Sequence, residues 1–574
     1  MWVFPFLIYY HAYPRTTFYQ EWSAAMLGLA AMVLLVTPRY WMQPEIPRVT
    51  LLPIGLMLII VLQFALGRVA YFDQAMLGAL YMLWAALLIM LGQRLRQEFG
   101  LPALATALAA FLLLGAEMQA VLGVLQHYRW HTFLDSVLTV KTSSAVYGNI
   151  AQPNHYANYL ALGLISLGLL YKHWSLRAWQ VALLAAPMLF VLVLSGSRSA
   201  WLYLLWVAGM AWLWQRRDKS CWPLLRYSLL LLLGFGLMHL VVLIPSLTGA
   251  DGTVTTFQRL FVAGGSSIRL YLWHEGWLIF TQFPWLGAGF GQFAWQHFLL
   301  TEQLRVTYIT GLYNNAHNLV VQVAAEMGMA GLLVLLSTLV LWLVQAVRMA
   351  ERTAYDWWAF TVLAVLGIHS MLEYPLWYAY FLGVAAVILG MLDRTTYRLE
   401  LRALGRLSVA LVLILGLLSL LQMGQGYRKL EALLATRPAS AADSENYNQH
   451  MRAGMLGVHQ QTMMVSMAEL YMSNMIDIGN AEYLADKREL NGRVMRNVPI
   501  APVVYREAFL SALAGDQALA QLQMTRAIWS YASDFEIARR QLGALAAQDP
   551  AHFAVLLQFA SQEYEEYQHA VRAR

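Results

Sequence analysis

One cysteine, Cys221, stands in a chain of 574 residues, so no disulfide and no cysteine-built metal site can form within it. Charge is scarce as well: Asp, Glu, Lys and Arg make up 12% of the residues, about half the share usual in soluble domains. With 59% hydrophobic residues and a mean hydropathy of +0.52, the chain falls among polytopic membrane proteins rather than soluble domains. The outer loops hold no Asp-x-Asp, and no helix carries paired histidines at ligand spacing, so no metal shell is legible and no cofactor is expected. A nucleic-acid footprint is missing too. The net charge of +6 arises from 24 basic against 16 acidic residues up to 426, while 427–574 carry 14 against 16. The opening run MWVFPFLIYY lacks a basic start and a small-residue cleavage site, and does not read as a removable signal peptide.

What is present in abundance is long apolar stretches. They run over 22–37, 51–67, 75–91, 103–122, 157–171, 180–196, 199–214, 227–246, 319–346, 357–373, 376–392 and 407–424, and residues 1–10 read as the end of a further span. The expected fold is an all-α polytopic membrane protein of about 12–13 transmembrane helices. The loops at 38–50, 92–101, 172–178, 215–226, 347–356 and 393–406 hold 16 Lys or Arg, the alternate short loops 5, which makes the first set cytoplasmic. The loops 123–156 and 248–318 and everything after 426 then face outward, into the periplasm of a Gram-negative cell. The expected division is a membrane domain over 1–426 and an outer helical domain over 427–574. Amphipathic segments in the latter break at Gly515-Asp516, Ser533-Asp534 and Asp549-Pro550. They fit tetratricopeptide-like hairpins or a generic helical domain equally, and either docks a protein partner.

Polar residues at the outward ends carry the chemistry. In YNNAHNLVVQVAAEMGMAG, His317 sits among amides just before a hydrophobic helix, and Asn314, Asn318, Gln322 and Glu326 recur at steps of four, a polar stripe descending into an apolar span. The plainer reading is a polar helix entry with an ordinary interfacial histidine. Arg198, in SGSRSAWLY, falls in a tight outer turn and keeps its charge there; with Arg269, in SSIRLYLWHEGW, it offers forked donors to a phosphate or diphosphate. Snorkelling to headgroups is the competing role, favoured for Arg259 but not for Arg198. Gln152 and Asn154 flank Pro153 ahead of a span, either orienting a polar ligand or capping the helix. In SMLEYPLWYAYFL, Glu373 and Tyr374 lie at an outer turn bent by Pro375, where the carboxylate pairs with an arginine, positions a hydroxyl or packs a helix end. Trp273, Trp277, Trp285 and Trp295 read best as an interfacial aromatic belt. Together these residues predict an outward anion site beside a titratable base.

The strings GNIAQPNHYANYL, SGSRSAWLY, IRLYLWHEGW with PWLGAGFGQF, NNAHNLVVQVAAEMGMAG and LEYPLWYAYFL resemble the bacterial O-antigen ligase and polymerase superfamily, and within it the pilin-type protein O-oligosaccharyltransferases (PglL/PilO type). The resemblance implies a GT-C-like membrane fold in the bacterial inner membrane. It also implies en bloc transfer of a glycan from an undecaprenyl diphosphate carrier to serine or threonine of a periplasmic protein such as pilin. On that basis His317 corresponds to the essential histidine, Arg198 and Arg269 to diphosphate-binding arginines, and Gln152 and Asn154 to the glutamine loop. Asn318, Glu326, Glu373, Tyr374 and Tyr378 would line the substrate site, and transfer would be inverting and metal-independent.

Two relatives within that superfamily compete: an O-antigen ligase, with lipid A-core as acceptor, and an O-antigen polymerase. The outer domain and the EYPLWY string argue against the ligase. From other classes, a transporter or flippase fits the many crossings, but no half-to-half repeat is visible and the polar groups gather at one face rather than midway. A membrane scaffold would explain the outer domain and leave the arginines and His317 idle. An N-linked oligosaccharyltransferase would need an acidic metal site and Trp-Trp-Asp, whereas this chain has Asp356-Trp357-Trp358, in reverse order and on the predicted cytoplasmic side.

Overall fold

Apolar segments that long leave the backbone one economical solution in lipid, the α-helix, which satisfies its own N–H and C=O groups. The computed structural model describes residues 1–35, 37, 40–244, 268–437 and 444–573, and 78% of it is helical. In chain order the helices of the first half are α1 (Phe4–Leu7), α2 (Phe18–Ala31), α3 (Leu51–Ala65), α4 (Phe72–Tyr128), α5 (Pro153–His173), α6 (Ala178–Leu194), α7 (Ser199–Arg217) and α8 (Trp222–Val242). Then follow α9 (Ile268–Gln282), α10 (Phe293–Leu304), α11 (Leu319–Met349), α12 (Ala354–Ser370), α13 (Ala379–Leu392) and α14 (Ala403–Ala435). Seven more make up the C-terminal part: α15 (Ser444–His459), α16 (Val465–Asn474), α17 (Leu484–Asn497), α18 (Ala501–Leu513), α19 (Gln517–Ser530), α20 (Phe535–Gln548) and α21 (Pro550–Arg572). Five segments are long and apolar enough to cross a membrane by length and composition: Arg48–Ala65, Phe72–Tyr128, Lys219–Val242, Leu319–Met349 and Ala403–Ala435. The protein is an all-α polytopic membrane protein. Among the described residues, each of the twelve apolar stretches lies mainly on one of these helices, two of them on α4, which breaks at Gly100 (φ +75) just before Pro102.

The bundle is organised around α5, which is buried continuously from His155 to Leu170. A helix with no solvent or lipid face belongs at a bundle centre. Small residues let the neighbours close in: a Cβ on Gly390 would lie 1.8 Å from the Ile89 carbonyl oxygen, so α13 and α4 touch backbone to backbone. The expectation of a span ending within residues 1–10 is corrected here. That segment forms only a four-residue helix, and Phe6, 0% exposed, stacks on Tyr159 and meets Tyr380 and Phe381 edge-on. Its apolar composition serves the inside of the bundle instead of lipid. At the end of the bundle that carries the basic loops, two short strands, β1 (Glu45–Pro47) and β2 (Thr396–Arg398), pair antiparallel with Glu45 opposite Arg398.

The opposite end carries the loops around 149, 197, 317 and 373 and the C-terminal helices. Residue 426 does not mark a break, because α14 continues through it to Ala435, and Tyr427 and Leu430 are buried against α15 and α16. The C-terminal helices are tied to the bundle by polar contacts. The Tyr71 hydroxyl donates to Glu469 Oε2 at 2.6 Å, and Ser466 N donates to Asp73 Oδ2 at 2.9 Å. Loop helix α10 docks against α19: Arg526 bonds Glu302 at 2.8 Å, and Phe298 enters the same core as Phe509 and Ile528. Trp295 packs on that core as well, so it is not part of an aromatic belt, while Trp277 and Trp285 are exposed.

Candidate active site

The turn between α12 and α13 delivers a carboxylate to the centre of the site. Glu373 is 3% exposed, and the side chains that bond its carboxylate among the described residues favour its charge. Oε2 lies 2.8 Å from His317 Nδ1, and Oε1 accepts from Arg269 Nη2 and from Asn154 Nδ2, each at 2.7 Å. Burial alone would raise its pKa; the bond and charge of His317 together with the Arg269 charge outweigh burial and hold it below the usual carboxylate range. Three side chains from three distant stretches therefore converge on one anion. Sequence reasoning named each of them and could not connect them.

His317 is held by its backbone as well as by its ring. It sits at φ +53, a region uncommon for any residue with a Cβ, and its N–H donates to Asn315 Oδ1 at 2.8 Å. Strain of that kind costs about 1–3 kcal/mol and clusters at functional sites. Tyr374 stands edge-on to the imidazole, with ring centroids 5.1 Å apart, and stacks on Tyr378 at 5.8 Å. Burial and then the Glu373 charge raise the Tyr374 pKa, so the phenol stays protonated.

Arg198 is exposed, and its side chain makes no ion pair or hydrogen bond among the described residues. It is nevertheless tied to the cluster through its neighbour: Ser197 Oγ donates to Asn154 Oδ1 at 2.8 Å, and Asn154 bonds Glu373. Arg269 differs, since one of its nitrogens is committed to Glu373 and its side chain is 27% exposed. The helix that carries it, α9, is braced by a buried pair that sequence reading did not single out, His297 Nδ1 to Glu275 Oε2 at 2.8 Å. Arg259 lies outside the described residues.

The remaining amides and the second carboxylate are engaged in the fold. Gln152 Oε1 caps α5 by accepting from His155 N at 2.6 Å. Asn318 caps α11 by accepting from Val320 N and Val321 N, and its amide donates to Met371 O at 3.2 Å, bracing α11 against the Glu373 turn. The expected polar stripe therefore starts one residue before the helix and stays inside: Gln322 accepts from Ala316 N at 2.6 Å, and Glu326, 3% exposed, accepts from Phe293 N at 3.1 Å. Glu326 thus holds the glycine-rich loop that follows α9. That loop meets α11 at a break at Gly328 (φ +63), and a Cβ on Gly287 (φ +67) would fall 2.2 Å from the Glu326 carbonyl carbon. Among the described residues, no group of three or more His, Cys, Asp or Glu side chains is placed to share an ion.

Comparison with known proteins divides along the same pieces. Residues 183–336, which contain Arg198, Arg269 and His317, match the family described as O-Antigen ligase. Residues 146–171, with Gln152 and Asn154, match Protein glycosylation ligase, and 357–543, with Glu373, Tyr374 and Tyr378, match Virulence factor membrane-bound polymerase, C-terminal. The chain is 26% identical over 447 residues to the General O-oligosaccharyltransferase of Acinetobacter baylyi, covering 75% of this chain and 76% of that protein. It is 25% identical over 248 residues to the ComP-specific O-oligosaccharyltransferase of the same organism, 43% of each. The resemblance read from the motifs holds: the chain is a membrane glycosyltransferase similar to the O-antigen ligase family and to these O-oligosaccharyltransferases.

Proposed function

We propose that this enzyme is an O-linked oligosaccharyltransferase of the bacterial inner membrane. It moves a glycan en bloc from undecaprenyl diphosphate to serine or threonine of a periplasmic protein such as a pilin. The observation that carries the reading is the Glu373 carboxylate shared between His317 and Arg269 and linked through Asn154 to Ser197, the chain neighbour of the exposed Arg198. The excess of basic residues in the opposite loops supports an outward-facing site.

With a carboxylate on Nδ1, the ring proton is held there and Nε2 keeps a lone pair for the acceptor hydroxyl. The acceptor oxygen attacks the sugar C1 as its proton passes to Nε2. The C1–O bond to phosphate breaks on the opposite face, and the diphosphate leaves with the electron pair, inverting the anomeric centre. Arg198, whose side-chain donors have no partner among the described residues, and the uncommitted nitrogens of Arg269 meet the charge that builds on the leaving oxygen, without a metal ion. Gln152 has an amide nitrogen without a partner among the described residues and lies beside Asn154, where it orients the donor. Tyr374 and Tyr378 form an aromatic wall for the sugar. The C-terminal helices, matched by the polymerase C-terminal family over part of their length, hold the acceptor protein.

The test is intact-mass analysis of periplasmic proteins from cells supplied with a defined lipid-linked glycan, with and without this chain and with His317→Ala at equal protein level. A mass increment on one protein, lost in both controls, is expected. Modified lipid A-core with unmodified proteins would point to an O-antigen ligase, and full transfer by His317→Ala would remove the assigned base.

A further inference from the structure

Beneath the Glu373 cluster lies a second set of titratable groups that this mechanism leaves unused. His155 on α5 is 1% exposed and His369 on α12 is 0% exposed. His155 Nδ1 lies 2.8 Å from His369 Nε2, and His369 Nδ1 lies 2.8 Å from the Tyr203 hydroxyl on α7. Three polar side chains inside a membrane bundle are expensive compared with an apolar trio of the same volume, so their presence needs a reason. His155 Nε2 has no partner among the described residues.

The hydrogen bonds allow one proton in each gap. If Tyr203 donates to His369, then His369 donates to His155; if His155 donates, the whole chain reverses. In either direction both rings are neutral and each fixes the tilt of the next. That is a stronger constraint than packing supplies, because an aromatic ring turns about its last torsion in a broad well. The fixed ring touches the site on two sides. Its chain neighbour Asn154 bonds Glu373 at 2.7 Å, and the His155 ring stands edge-on to Tyr374 and Tyr378 at 5.8 and 4.9 Å. Tyr374 in turn stands edge-on to His317.

We infer that His155, locked by His369 and Tyr203, is a positioning residue for glycan transfer: it fixes the start of α5 and the Tyr374–Tyr378 pair, and so sets where Glu373 and His317 stand. The inference rests on the reading of His317 as the base. A misplacement of about 1 Å at such a site costs on the order of 10²-fold in rate.

The test uses the purified full-length protein in lipid nanodiscs, with an undecaprenyl-diphosphate-linked oligosaccharide as donor and the acceptor identified by the mass analysis above. His155→Phe keeps the ring and removes the bonds; it should lower kcat about 10- to 100-fold with donor KM within about twofold of wild type. His155→Gln, which can still bond His369, should recover most of that loss. Tyr203→Phe removes one hydroxyl and is the safer variant to fold; it should lower kcat by about threefold or more at an unchanged unfolding temperature. In the double variant Tyr203→Phe should add nothing to His155→Phe, because it acts through that ring. A kcat within twofold of wild type in both single variants, or losses that multiply in the double variant, would overturn the inference. An inactive wild type, or an active His317→Ala, would instead remove the proposed function on which it rests.

Discussion

His317 Nδ1 and Glu373 Oε2 lie 2.8 Å apart although 56 residues separate them in the chain. The pairing assigns the imidazole its tautomer, since a buried carboxylate that already receives Arg269 and Asn154 can only accept.

Glu373→Gln is the direct test of that relationship. The amide keeps the shape but loses the charge and can donate, so the ring is free to carry its proton on Nε2, where the lone pair is needed. Transfer should fall by about 10²-fold or more, measured as initial rate at equal enzyme. A rate within threefold of wild type would separate Glu373 from the function of His317.

The two arginines should respond differently. Arg198→Ala should cost about 10²- to 10³-fold in turnover with no change in unfolding temperature, because the exposed side chain bonds no other side chain among the described residues. Arg198→Lys should restore only part of the rate, since a point charge lacks the fork. Arg269→Ala should lose activity and also destabilise the fold, by about 1–3 kcal/mol, because it leaves Glu373 short of a donor. Equal stability of Arg198→Ala and Arg269→Ala in a thermal melt would contradict this division.

Acid should weaken the site from one side. Because the folded-state pKa of Glu373 lies below its ordinary value, the stability it contributes is complete above the usual glutamate pKa of about 4.3. That contribution is lost as pH falls through the depressed folded value. The difference in unfolding temperature between wild type and Glu373→Gln should hold steady from neutral pH to about 5 and shrink below about 4. A difference that stays constant down to pH 3 would mean that the carboxylate is not held in its charged form.

The glycine-rich loop offers a structural check. Gly287→Ala places a Cβ 2.2 Å from the Glu326 carbonyl carbon, on backbone that cannot give way, and should destabilise the protein by about 3 kcal/mol with loss of transfer. Gly311→Ala has φ +101 but nothing within 4 Å, and should cost only about 1 kcal/mol. Thermal unfolding of the two variants side by side distinguishes contact from backbone strain.

Much of this was readable in advance because lipid imposes strong rules. Runs of apolar residues became helices, and basic loops gathered at one end of the bundle. The exceptions share a cause: composition reports that a segment avoids water but not what it meets instead. Phe6 is as apolar as a lipid-facing residue and lies inside, against Tyr159 and Phe381. Trp295 looks like an interfacial anchor and packs on the C-terminal helices. In the site, the types and chain positions of His317, Arg269, Asn154 and Glu373 were visible, but their common meeting point is a tertiary fact. His369 went unread because a lone histidine in an apolar span is usually a packed one; its signal was its place four residues before Glu373, on the same helix end.

At the start of α5, three consecutive functions fall on residues 152 to 155: Gln152 seals the first turn, Asn154 reaches up to the shared carboxylate, and His155 points down into the bundle. Successive helical residues are offset by about 100° around the axis, so these directions are compatible in one register alone. Adding or deleting a single amino acid in this stretch would swing all three away together, which makes it a segment that tolerates changes of side chain far better than changes of length.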